Sequence, residues 1–102
     1  ITSGSIRIYD KNTNYLASVN FLSAFLFLDN YDIFFKDKNI IHTVENEKII
    51  TYDMRYITKE NRLVSDKEII IYKGETIIRG VGFETKDGFK TIKIWKNVIT
   101  EG

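Results

Sequence analysis

Alternation of apolar and polar side chains with a period of two dominates the chain. It is clearest where Ile50, Tyr52, Met54 and Tyr56 fall on one side and Thr51, Asp53 and Arg55 on the other, the pattern of a strand with one buried face. After Gly74, Ile77, Val81 and Phe83 share a side with Arg79, while Ile78, Gly80, Gly82 and Glu84 take the opposite side. Two glycines on one face predict a smooth strip that another backbone or a ligand can approach closely. In the last run, residues 89–96, Ile92 and Ile94 alternate with Thr91, Lys93 and Trp95, and we assign the two isoleucines inward. The apolar run from Phe21 to Leu28 has no period. It fits a strand or a short buried helix, and we read it as strand.

Polar clusters divide these runs at Asp10-Lys11-Asn12-Thr13-Asn14, Asp29-Asn30, Asp37-Lys38-Asn39, Glu45-Asn46-Glu47, Lys59-Glu60-Asn61, Ser65-Asp66-Lys67, Lys73-Gly74-Glu75 and Asp87-Gly88. Taken as turns, they predict an all-β chain of roughly eight or nine short strands. The segments between them are rich in Ile, Val, Thr, Tyr and Phe, which suit a pleated, half-buried surface. A faint repeat aligns residues 6–11 with 54–59 and residues 14–18 with 61–65. Each copy reads as strand, polar turn, strand, although any two hairpins share that much. No proline guards the sheet edges, which leaves Lys90, Lys93 and Lys96 as the expected deterrent to edge pairing.

A chain of 102 residues is expected to form one domain spanning 1–102. Hydrophobic residues at 43% and charged residues at 28% fit a folded globular chain. The net charge of +1 argues against a dedicated nucleic-acid binder, whose phosphate contacts need an excess of Lys and Arg. Without cysteine there is neither a disulfide nor a thiolate metal site. The chain opens on Ile1, so it reads as a processed or trimmed piece. Its longest apolar stretch falls well short of the roughly 20 residues that span a bilayer.

Catalytic chemistry finds little footing. The single histidine, His42, sits in the alternating run Ile41, Thr43, Val44 with no Asp/Glu pattern beside it, which suits a strand residue better than a base or metal ligand. The serines Ser3, Ser5, Ser18, Ser23 and Ser65 lie in no nucleophile elbow. Gly80-Val81-Gly82 leads into a strand, not the helix that a dinucleotide loop requires. No enzyme activity, metal or cofactor is expected.

From Tyr52 onward the chain resembles the LptC family of the OstA-like superfamily, which serves lipopolysaccharide export. The likeness rests on residues 56–67, then Glu68 to Tyr72, then Ile77-Ile78-Arg79-Gly80-Val81-Gly82-Phe83-Glu84 and a final strand ending near Asn97-Val98. Where the family commonly has a proline after the Ser-Asp step, this chain has none. The resemblance implies a twisted, open β-jelly roll, folded like a taco around a groove that receives acyl chains. It implies a non-enzymatic carrier that accepts lipopolysaccharide or a related glycolipid from an inner-membrane ABC transporter complex. Strand addition between jelly rolls would then extend a bridge to the outer membrane. A periplasmic location follows, with anchoring to the inner membrane through an upstream segment.

The expected groove wall is Ile6, Ile8, Ile50, Tyr52, Met54, Tyr56, Leu63, Ile71, Val81, Phe83, Ile92 and Ile94. Inward residues of a β-structure are more often packed core than ligand wall. A core position should lose stability when truncated, while a wall position should mainly lose lipid. Lys86, Lys90, Lys93 and Lys96 suit a solvated face, or alternatively a phosphorylated head group, and Trp95 suits an outer sheet face or a protein interface. Two rivals stay open: an LptA-type soluble bridge protein, and a structural or adhesive β-module that assembles edge to edge.

Overall fold

A computed structural model describes residues 2–101. Seven strands, β1 (Thr2–Tyr9), β2 (Tyr15–Leu26), β3 (Ile33–Thr43), β4 (Lys48–Ile57), β5 (Arg62–Lys73), β6 (Thr76–Thr85) and β7 (Lys93–Glu101), follow one another, with one 3-10 turn at Thr58–Glu60. Each strand pairs antiparallel with the next, giving a single sheet in the order β1-β2-β3-β4-β5-β6-β7. The sheet is open, so β1 and β7 are its edges. The chain is all-β, as the alternation predicted, and jelly-roll-like, as the resemblance implied, and Phe21 to Leu26 belongs to β2.

Seven strands replace the expected eight or nine because two polar clusters are not turns. Asp37-Lys38-Asn39 lies inside β3 and Ser65-Asp66-Lys67 inside β5. At both places the ladder slips, between Phe35 and Lys38 and between Ser65 and Glu68. Such bulges bend a strand and strengthen its twist. Asp37 (φ 64°), Asp53 (φ 50°) and Gly82 (φ 80°) take left-handed backbone in the slipped stretches, and the Asp37 amide donates to Asp53 Oδ1 at 2.8 Å. A further slip between Phe21 and Ser23 of β2 continues the line across the sheet.

This line of bulges folds the sheet upon itself, which is how one sheet builds a core without a second. On the first half an inward row crosses six strands through direct pairs: Ile6 with Val19, Val19 with Ile41, Ile41 with Ile49, Ile49 with Ile71, and Ile71 with Ile78. On the second half Phe35, Met54, Leu63 and Phe83 join the same buried cluster. Phe21 and Phe35 meet across the fold at 5.6 Å between ring centroids. Phe89, from the β6–β7 loop, is buried among them.

The bulges also correct the predicted faces. Alternation carried through Asp53 placed Ile50 and Tyr52 with Met54 and Tyr56, but the slip at Asp53 resets the phase. Ile49 and Thr51 face inward on the first half of β4, and Met54 and Tyr56 on the second. Ile50 pairs with Ile40 and Ile70 on the outer face. In β6, Ile78 faces inward and Ile77, Arg79 and Val81 outward, until Gly82 restores Phe83 to the interior. Val81 is 41% exposed. Gly80 and Gly82 form no open strip: a Cβ at Gly80 would strike Ile94, and one at Gly82 would strike Trp95. Ile92 and Ile94 pack against the core as expected.

Candidate functional site

The two halves of the folded sheet do not meet everywhere. Between edge strand β1 and the second half lies an open cleft of about 600 Å³, within the roughly 300–1,000 Å³ range of small-ligand sites. Its apolar walls are Ile6, Ile8, Leu16 and Val19 from β1 and β2, facing Ile33, Phe35, Tyr56 and Leu63 from β3, β4 and β5. Residues 85–88 and Lys90 of the β6–β7 connection border it on a third side.

Of the twelve predicted wall residues, Ile6, Ile8, Tyr56 and Leu63 line this cleft. Met54, Ile71 and Phe83 are closed in the core, and Ile92 and Ile94 pack against it. Ile50 and Val81 lie on the outer face, as does Tyr52 before the Asp53 slip. The prediction missed Leu16, Val19, Ile33 and Phe35. The internal repeat held a signal for one of them, because it matches Ile8 to Tyr56 and Leu16 to Leu63, and all four line the cleft.

Hydrogen bonds fix the cleft border. The Asp10 carboxylate closes the β1–β2 turn, with Oδ1 accepting from the amides of Asn12 (2.8 Å) and Asn14 (2.9 Å) and Oδ2 from Asn14 Nδ2 (3.1 Å). The Asn14 amide, then its side chain, hold Asp10 below the usual carboxylate pKa, with a smaller contribution from the positive charge of Lys90. That charge comes from the β6–β7 loop, which borders the same cleft. In the β6–β7 loop, Asp87 Oδ1 accepts from the Thr91 amide at 2.8 Å, and Thr85 Oγ1 donates to the Thr91 carbonyl at 2.7 Å. Burial alone would raise the Asp87 pKa, but the hydrogen bonds from Thr91 and Thr85 outweigh it and the group is lowered. Gly88 (φ 65°) lies so close to the β1–β2 hairpin that a Cβ there would fall 2.8 Å from Leu16 Cδ1 and 3.1 Å from Ile8 Cγ2. Tyr56 O–H donates to Asn61 Oδ1 at 2.7 Å, steadying the aromatic wall.

The arrangement suits an amphiphile, since apolar walls remove hydrocarbon from water while polar groups gather at the rim. Among the described residues, no group of three or more His, Cys, Asp or Glu could hold a metal ion. No helix among them is long and apolar enough to cross a membrane.

No curated protein matches the chain. The sequence pattern of one family, described as lipopolysaccharide-assembly, LptC-related, matches residues 1–101. The match includes the N-terminal half, ahead of Tyr52, where the resemblance in the sequence begins. An open all-β sheet folded around an apolar cleft, joined to a family match over nearly its whole length, places this chain in the LptC-related family of lipopolysaccharide-transport components of the periplasm.

Proposed function

We propose that the chain is a non-enzymatic carrier that takes the acyl chains of lipopolysaccharide, or of a related glycolipid, into the cleft between its two sheet halves. The observation that carries this reading is the cleft itself, walled by Ile6, Ile8, Leu16, Val19, Ile33, Phe35 and Leu63 yet open to solvent. Each acyl methylene removed from water contributes on the order of 0.8 kcal/mol, so affinity needs no polar motif. The unpaired edges β1 and β7 support a place in a bridge. Strand addition at each edge would align successive clefts, receiving lipid from an inner-membrane ABC transporter complex and passing it toward the outer membrane.

Photo-cross-linking with a lipid A-like ligand tests the assignment. A benzophenone side chain at Ile8 or Leu63 should label, whereas the same group at Val81 on the outer face should not. Labelling at Val81 with none at Ile8 and Leu63 would remove the cleft from the lipid path. Truncation separates wall from core: Phe83→Ala should cost about 3–5 kcal/mol of stability. Ile8→Ala, at a partly buried position, should cost less and chiefly weaken labelling by a probe at Leu63.

A further inference from the structure

We infer that the tip of the β2–β3 hairpin is a membrane-docking element, which seats Phe25, Leu26, Phe27, Leu28 and Tyr31 in the interfacial layer of a phospholipid bilayer. These side chains are 44–76% exposed, and among the described residues no other stretch leaves consecutive large apolar side chains in water. Single exposed apolar residues are ordinary on a protein surface, whereas a contiguous group of them marks a contact. The group belongs to the apolar run that has no period. Phe25 pairs with Phe34, and Phe27 and Phe34 line a shallow groove on the outer face of the sheet. Leu26 pairs with Ile33, which packs against the core on the inner face. Leu28 lies beyond the last strand pair, in the turn itself. The tip is therefore apolar on both faces and at its end. A protein surface would cover one face of such a hairpin, while a lipid layer surrounds the tip from every side.

Hydrogen bonds hold the turn in this shape. Tyr31 takes φ 60°, a costly backbone for a bulky residue. Its amide donates to the Phe27 carbonyl at 2.7 Å, and its carbonyl accepts from Thr58 Oγ1 at 2.6 Å. The Phe27 amide in turn donates to the Asp32 carbonyl at 2.9 Å. A tip fixed beforehand loses little freedom when it enters lipid. Charge fits the same layer. Lys36, opposite Ser23, and Lys59, in the 3-10 turn bonded to Tyr31, are both exposed. Neither joins the ion pairs among the described residues, which are Arg55–Asp32, Arg62–Glu60, Arg62–Glu84 and Lys73–Glu47. Lysines flanking an apolar tip meet lipid phosphates when the tip is seated. Asp29 carries a charge on the turn itself, which keeps the insertion shallow, among the head groups.

The test is co-sedimentation of the chain with vesicles of phosphatidylcholine, and with vesicles in which roughly a quarter of the lipid is phosphatidylglycerol. The chain should partition onto both. The Leu28→Asn, Tyr31→Asn double variant should lower the partition coefficient on either vesicle by about tenfold or more. Asparagine tolerates the left-handed backbone at position 31, so the turn should persist. Val44→Asn with Val98→Asn removes two equally exposed apolar side chains away from the tip and should partition as the parent does. Lys36→Gln with Lys59→Gln should abolish the extra binding that phosphatidylglycerol brings and leave binding to phosphatidylcholine unchanged. Because the chain has no cysteine, Leu28→Cys and Val44→Cys each take one environment-sensitive dye. The dye at position 28 should shift to the blue when vesicles are added, and that at position 44 should not. Absence of partitioning onto either vesicle overturns the inference. So does a tip double variant that binds like the parent, which would assign vesicle binding to the cleft, or a distant double variant that loses as much. A dye at position 28 that shifts with rising protein concentration but not with vesicles would make a second copy of the chain the occupant of the tip, and would overturn the inference as well.

Discussion

Asp32 and Arg55 join the β2–β3 turn to the end of β4. One carboxylate oxygen, Oδ2, receives Arg55 Nη2 at 2.9 Å and Nε at 3.2 Å, and the other receives the Thr58 amide at 3.0 Å. Asp32 is only 5% exposed, whereas the Arg55 side chain is 45% exposed, so solvent screens the ionic part and the amide bond dominates. Asp32→Ala leaves the Thr58 donor without its acceptor and should lower stability by about 1.5–3 kcal/mol. Asp32→Asn keeps an oxygen for Thr58 and should lose less. Urea unfolding midpoints of the two variants provide the comparison; equal losses would show that charge, not the amide bond, holds the turn.

Gly82 and Trp95 form a second local contact that a single substitution can expose. Gly82 has φ 80°, and a Cβ there would collide with the indole. Gly82→Ala therefore combines left-handed strain of about 1–2 kcal/mol with displacement of the ring. Trp95 is the sole tryptophan, so its emission should shift to the red as the ring moves into water. Gly74→Ala is the control, because Gly74 also has positive φ but open space around it. It should lose stability without moving the emission, and a shift of the same size there would detach the signal from the Gly82 contact.

Fold class was legible because period two and turn chemistry are local properties. Strand number was not, because bulges recruit the same residues as turns. Glu45-Asn46-Glu47 is a turn, while Asp37-Lys38-Asn39 bends a continuous strand. Asn39, read as part of a turn, is in fact fully buried, with Nδ2 donating to the carbonyls of Phe35 (3.4 Å) and Asp37 (3.3 Å). Each unseen bulge inverts every face beyond it, which is why Ile50 and Tyr52 were placed with Met54. The cleft was half legible. Ile8 and Leu63 follow from alternation and the hairpin repeat, but whether an inward residue becomes wall or core depends on what the fold brings opposite it. Met54 is sealed while Tyr56, two residues on, lines the opening.

Acid should loosen the turns at the cleft rim before it affects the core. Hydrogen bonds place Asp10 and Asp87 below their usual pKa of 3.8 in the folded chain. For a carboxylate depressed in this way, the stabilisation is fully present above the unfolded pKa. It is lost as pH falls through the folded one. The β1–β2 turn and the β6–β7 loop should thus keep their stability from neutrality to about pH 5 and lose it progressively below. The protection of the Asn12, Asn14 and Thr91 amides, the donors to these carboxylates, taken relative to the intrinsic exchange rate at each pH, should fall over that acid range ahead of that of amides in the Ile41–Ile49 pairing. Asp10→Asn should remove the acid dependence at Asn12 and Asn14 while leaving that at Thr91, and Asp87→Asn should do the reverse. If both variants retain the parental acid profile at every one of these amides, other carboxylates govern the loosening and the two turns are not its origin.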